Sequence, residues 1–497
     1  MQKNSRRARA NEMSGKRPVE TPLPPSKPAL SMAGRQDALR YALLCGCFAL
    51  SGLAALIYQT AWTRQFALVF GTSELAVATV LAAYMGGLAL GARGIEYLLP
   101  RVSRPVRLYA LLELGIGAAA LLLVPLCLRA AEALLITLLG GQSEPPATGA
   151  SSNTAFYLVA SFVTLLVPTT LMGATLPLLA RDGVHDDRQI GSRIGALYAC
   201  NTAGAVGGAL LGALVLLPAL GLRATIWVAA GVNVLVFLLA WWLAVLRARH
   251  AEVPAPMPAA APSASEVAGP FWILPLILLS GSVSFMQEVM WTRLLSRVVG
   301  SSIQSFGIMV ASFLTGIAIG GALGARLARR RETATASFVA SQVAVALALV
   351  LSWYALMQWA AVPVSPLQRA LFGFAVLLPL TIAIGVTYPL AVRVLAGGVA
   401  DAPRASARVY GWNTAGAIVG ALAGGFWLIP ALRYEGAMHL SVVVSLVLGL
   451  LAAISLLKFD WRVVFPLGLG AVLTALLFRP AMPEGLLRVS PLRSAAG

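Results

Sequence analysis

Apolar runs of about 20 residues, each long enough to cross a bilayer, follow one another from residue 41 to about residue 458. In hydrocarbon the backbone must find its hydrogen-bond partners within its own segment, so such runs are helical. Hydrophobic residues make up 59% of the chain and charged residues 11%, which excludes an ordinary soluble domain. The lipid bilayer is therefore the expected partner. The net charge of +18 would point to nucleic acid in a soluble protein. Here most arginines sit in short loops and tails, so they read as topology signals, and no nucleic-acid partner is expected.

The runs sort into two groups of six. Spans are expected at about 41–62, 73–96, 107–128, 155–180, 194–217 and 224–246, then at about 271–292, 303–325, 337–360, 370–392, 408–430 and 437–457. Residues 1–40, rich in Arg, Lys, Pro and Ser, read as a disordered basic tail, and 251–270 as a Pro/Ala-rich linker. The halves are thus 41–250 and 271–460, with a short apolar run at 463–478 inside a tail of 461–497 as a candidate extra helix. Arginine clusters such as Arg93–Arg107, Arg326–Arg331 and Arg393–Arg408 fall in every second loop. By the positive-inside rule those loops and the N-terminus are cytoplasmic, and the expected location is a bacterial inner membrane.

The two halves are copies. SGLAALIYQTAWTRQFALVFGTS from Ser51 matches SGSVSFMQEVMWTRLLSRVVGSS from Ser280 at an offset of 229 positions. PTTLMGATLPLLAR from Pro168 matches LTIAIGVTYPLAVR from Leu380, and the segment from Leu197 matches that from Val409, both at an offset of 212. The shortfall of 17 positions places extra residues in the first half, around 129–154. Six spans is an even number, so both copies enter the membrane in the same orientation. Parallel repeats about an axis along the membrane normal are the plan of the major facilitators. The expected fold class is all-α, a polytopic bundle of two parallel six-helix repeats.

Small residues recur every fourth position at Gly204, Gly208 and Gly212, at Gly416, Gly420 and Gly424, at Gly316, Gly320 and Gly324, and at Gly87 and Gly91. That spacing lines one helical face and admits a close neighbour, whether fixed or sliding. Pro168, Pro177, Pro379 and Pro389 interrupt the hydrogen-bond ladders of the fourth and tenth spans, where a kink is expected. Trp62 and Trp291, near span ends, read as interfacial anchors.

Ionisable groups within spans are costly and are candidate functional groups by default. Glu113 aligns with Gln342, and Glu288 with Gln59, so each half keeps one acid and one amide in exchanged positions. These acids could bind a cationic solute, carry protons, or pair with Arg64 and Arg293. Asn201 and Asn413, three residues after Tyr198 and Tyr410, could bond across helices or line a polar cavity between the halves. Four cysteines and three histidines form no metal-ligand or disulfide pattern, and no nucleophile–base pair stands out. No metal, cofactor or catalytic residue is expected.

The repeated SG…ALIYQxxWTR block, the GATLPLLAR segment and the LYxxNTAGAxxGA segment resemble the membrane portion of fused major-facilitator/spermidine-synthase proteins of bacteria. The resemblance covers about residues 41–460. In that family the first block often carries Glu where this chain has Gln59. The resemblance implies a soluble aminopropyltransferase domain after the bundle, but only 37 residues follow Asp460 and no GGGxG-type loop follows a strand-like run. Aminopropyl transfer by this chain alone is not expected. Two functions remain open: a transporter of a polyamine or other small cationic solute, and a membrane anchor for a separately encoded aminopropyltransferase.

Overall fold

A computed structural model describes residues 32–70, 74–138, 151–184, 186–250, 269–299, 303–359, 365–457 and 460–481. The tail to residue 31, the linker over 251–268 and the chain after 481 lie outside them. So does 139–150, the middle of the stretch where the first-half insertion was expected. Residues 32–42, the described part of the first of two units, are helical, where an irregular tail was expected to residue 40.

The described residues of the rest are helical almost throughout. The helices are α1 (Met32–Phe70), α2 (Glu74–Leu98), α3 (Pro105–Leu138), α4 (Ser151–Gly183), α5 (Ile190–Leu211), α6 (Leu217–His250), α7 (Ile273–Val299), α8 (Ile303–Leu327), α9 (Arg331–Trp359), α10 (Pro366–Leu395), α11 (Ala402–Ala423), α12 (Ile429–Leu456) and α13 (Trp461–Leu477). Among the described residues nine helical stretches are long and apolar enough to cross a membrane, and two of them, Ile190–Leu246 and Ala402–Leu456, reverse direction inside. The molecule is a multi-pass membrane protein. The 17-residue α13 covers the expected extra run, and it packs on α12.

Each reversal follows a π-helical turn, at Gly212–Leu216 after α5 and at Gly424–Leu428 after α11. The chain then turns at Gly221 (φ 75°) and Arg433 (φ 60°). Both pairs are equivalent at the offset of 212, so the duplication reaches down to backbone conformation. Contacts on either side prove the return. Gly204, before the first turn, lies against Ala49, while Asn233, after it, bonds to Glu113, which also bonds Ser51.

Equivalent helices pair in both halves: α2 with α4 and α8 with α10, α3 with α4 and α6, α9 with α10 and α12. The glycine rows explain the tightest of these. A Cβ on Gly204 would stand 1.7 Å from the Ala49 carbonyl oxygen, and one on Gly416 would stand 1.9 Å from that of Leu278, so α1–α5 and α7–α11 touch backbone to backbone. Gly87 and Gly91 press on α4, and Gly316 and Gly320 on α10 in the same way. All four rows therefore fix helices within a half.

Between the halves, α5 runs along α8 and α2 along α11. Gly191 meets Ala328 and Gly195 meets Ala325, so α5 starts where α8 ends. Glu96 near the end of α2 pairs with Arg408 near the start of α11. The halves thus share one orientation, as six spans per copy require. That end of the bundle, which also carries Arg93, Arg329 and Arg404, is the arginine-rich end.

Candidate functional site

The two intramembrane acids have different surroundings. Glu113, on α3, is fully buried. Ser51 on α1 donates its hydroxyl to Oε1 at 2.6 Å, and the Asn233 amide on α6 donates to Oε2 at 2.7 Å. The acid therefore ties three helices of the first half together and lies inside that half, away from the seam where the sequence suggested a polar cavity. At the equivalent positions the second half has Ser280, Gln342 and Ser445. Gln342 is buried with its Nε2 unbonded, and no hydrogen bond joins it to Ser280 or Ser445 among the described residues. The second half instead bonds Gln287 on α7 to Ser441 on α12 at 2.5 Å.

Glu288, on α7, has no hydrogen bond or ion pair among the described residues, and it is half-buried rather than sealed. Leu279 on the same helix is 42% exposed. Nine residues at 3.6 per turn bring Glu288 to about 180° from Leu279, on the opposite side of the helix. Ser284, Trp291 and Leu295, which flank Glu288 on that side, are all buried. The carboxylate thus belongs to the protein-facing side of α7 and is more open than its neighbours.

Among the described residues neither acid is paired with Arg64 or Arg293. Arg293 Nη2 donates to the Gly425 carbonyl oxygen of the α11 π-turn at 3.3 Å, and Arg64 is exposed. Gln59, aligned with Glu288, is buried. The tryptophans are not interfacial anchors either. Trp62 and Trp291 are 0% and 1% exposed in the cores of their halves, where Trp62 stacks on Tyr58 at 5.0 Å. Apolar packing of the indole outweighs its preference for the headgroup level once four helices can enclose it.

Asn201 donates to the Phe48 carbonyl oxygen at 3.0 Å, a bond between α1 and α5 within one half. The backbone of Asn413 abuts Gly281 of α7 in the equivalent place. The tyrosines, in contrast, reach the seam. Tyr198 of α5 stacks on Tyr388 of α10 with ring centroids 4.5 Å apart, and Tyr410 of α11 meets Tyr388 edge-on at 6.2 Å. Tyr388 holds Ser406 through its hydroxyl at 3.0 Å.

Sequence reasoning missed Tyr388, Glu96, Ser51 and Asn233. For Tyr388 the signal was present, because GVTYPL carries Tyr where the first copy, GATLPL, carries Leu176. Glu96 is buried at the seam, accepts from Arg93 one turn earlier and takes Arg408 Nε at 2.7 Å. It closes the arginine-rich end together with the tyrosine stack and the α5–α8 contact. Toward the other end, Ala209, Val310 and Ala311 pack across α5–α8 beside Leu56 and Phe374.

No protein-family model matches the chain, and no curated protein sequence matches it. Solved structures do. A bacterial homologue of the iron transporter ferroportin, captured in an outward-facing state, superposes with a TM-score of 0.55 at 14% identity, covering 83% of this chain and 98% of that one. The E. coli fucose:proton symporter gives a TM-score of 0.51 at 16% identity, covering 84% of this chain and 99% of that one. The chain has a major-facilitator-like fold. In this major-facilitator-like bundle α5–α8 and α2–α11 form the boundary between halves, and the tyrosine stack and the Glu96–Arg408 pair lie on it.

Proposed function

We propose that the chain is a transporter that carries a small cationic solute, with Glu288 as the group that receives it. The observation that carries the proposal is the half-buried Glu288 carboxylate, which has no partner among the described residues. An ionisable side chain in a span is costly to keep, and one without a protein partner is available to a cation or a proton. Two neighbours in fold, an iron-transporter homologue and a fucose:proton symporter, support the transport reading. The sequence resemblance suggests a polyamine as the cation.

In this reading the halves rock about α2–α11 and α5–α8 around a fixed site, the usual course of alternating access. The arginine-rich end is taken as cytoplasmic by the positive-inside rule. The Glu96–Arg408 pair and the Tyr198–Tyr388 stack would then hold the path shut on the cytoplasmic side. Opening it separates a charged pair whose acid is buried. Solute bound at Glu288 offsets that cost only if it binds the open state more tightly.

Uptake of radiolabelled spermidine into proteoliposomes tests the proposal. Wild-type protein and Glu113→Gln should accumulate the label, and Glu288→Gln should fall to the level of empty liposomes. Apparent affinity should drop as the pH is lowered, because protonation removes the charge that the cation meets, and the same pH change should leave Glu288→Gln unaltered. Uptake by Glu288→Gln at the wild-type rate would overturn the role of the acid, and no uptake by wild-type protein would overturn the polyamine assignment.

A further inference from the structure

We propose that Cys45 and Cys200 form a redox-active dithiol, which a peroxide converts to a disulfide tying α1 to α5. The register of the two helices carries the inference. They run parallel, and Ala49 faces Gly204 and Leu53 faces Gly208, each pair separated by 155 positions. One turn earlier the same separation brings Cys45 opposite Cys200. A Cβ on Gly204 would lie 2.9 Å from the Ala49 Cα, so the two Cα atoms are no more than about 4.5 Å apart there. Between the two turns Asn201 bonds to the Phe48 carbonyl oxygen and Gly52 abuts the Asn201 backbone, which keeps the helices in contact down to the cysteines. The Cys200 thiol accordingly lies within interaction reach of Cys45. Disulfides need Cα atoms about 4.4–6.8 Å apart, and the Gly204–Ala49 approach one turn away lies at the close end of that range.

Both cysteines are half-buried, so a small neutral oxidant has a face to approach. The equivalent positions in the second half hold Leu274 and Trp412, so the thiols stand where the other copy carries apolar side chains. In the reaction one thiol, as its thiolate, attacks a peroxide oxygen and the O–O bond breaks, giving a sulfenic acid and one water from hydrogen peroxide. The second sulfur then attacks the first, the S–O bond breaks and a second water leaves. Two thiols and one hydrogen peroxide thus give one disulfide and two waters, with the sulfurs oxidised by two electrons and the peroxide reduced by two. Cys47 and Cys127 take no part.

The test uses the full chain in native membrane vesicles. After treatment with hydrogen peroxide and unfolding in SDS, N-ethylmaleimide should label two of the four cysteines, and mass spectrometry should find one cross-linked peptide pair joining Cys45 to Cys200. Dithiothreitol should restore four labels. Cys45→Ser and Cys200→Ser should each give no cross-link, the variant that keeps the attacking thiol stopping at its sulfenic acid and the other keeping all three remaining thiols. The cross-linked peptide is read on wild-type protein, so the result does not depend on the variants folding. In wild-type protein four labels after peroxide, a sulfenic acid without the cross-link, or a bridge that uses Cys47, Cys127 or a second chain would each overturn the proposal.

Discussion

Arg433 makes, with a Cβ, the turn that Gly221 makes without one. Its φ of 60° and ψ of −176° fall in a region that only glycine occupies freely, at a cost of about 1–3 kcal/mol. Its contact with Glu435, 3.9 Å long and mostly exposed, offsets little of that. Arg433→Gly should therefore raise the thermal midpoint in detergent by a few degrees, and a lower midpoint would mean that the arginine holds the turn in some other way. Glu113 gives a second contrast. Glu113→Ala leaves Ser51 and Asn233 facing an empty site and should cost about 3 kcal/mol. Glu113→Gln should cost no more than about 1, because the unbonded Asn233 Oδ1 can accept from the new amide. Equal loss of thermal stability in both variants would count against the network. Sequence identified both acids but could not tell them apart. The difference lies in Ser51 and Asn233, which approach Glu113 from helices distant in sequence, and in Glu288 having no such neighbours.

At the scale of the helix, the four-residue glycine rows were legible and their partners were not. Periodicity shows that a face is bare, while the neighbour that occupies it follows from the packing of all the helices. The rows turn out to lock α1–α5, α7–α11, α2–α4 and α8–α10 inside each half. Gly204→Leu should abolish the folded monomer in mild detergent, since even a Cβ would meet the Ala49 carbonyl oxygen at 1.7 Å. Gly231→Leu, where no atom lies within 4 Å of the added Cβ, should leave it intact. A monodisperse Gly204→Leu peak on size exclusion would contradict the packing. The prolines of α4 and α10 sit inside helices that continue through them, and the tryptophans expected at the interface are core residues. The tryptophans differ from expectation because neighbouring helices supply the apolar enclosure that an isolated span lacks.

For the whole molecule, the duplication predicted two lobes of the same orientation, and the contacts of α5 with α8 and α2 with α11 show them so. The resemblance to spermidine-synthase fusions carried the right bundle, whereas the structural likeness extends to the fold alone. What sequence did not reveal is how the seam is fastened, because Glu96 and Arg408 are 312 positions apart and neither is repeated in the other half. Arg408→Ala removes a charge-assisted bond of about 1.5 kcal/mol, enough for roughly a tenfold shift in a two-state balance. Spin labels on the loops of the arginine-rich end should show a larger separated population in this variant, and unchanged distances would mean that the pair does not hold the seam. The central claim is that Glu288 borders a path between the lobes. The most direct measurement places a single cysteine there, Glu288→Cys with the four native cysteines replaced by serine, and treats sealed vesicles of known sidedness with a membrane-impermeant thiol reagent. Labelling is expected from the face opposite the arginine-rich end, enhanced when that end is locked and reduced when Arg408→Ala is added. A cysteine that no aqueous reagent reaches from either face would contradict it.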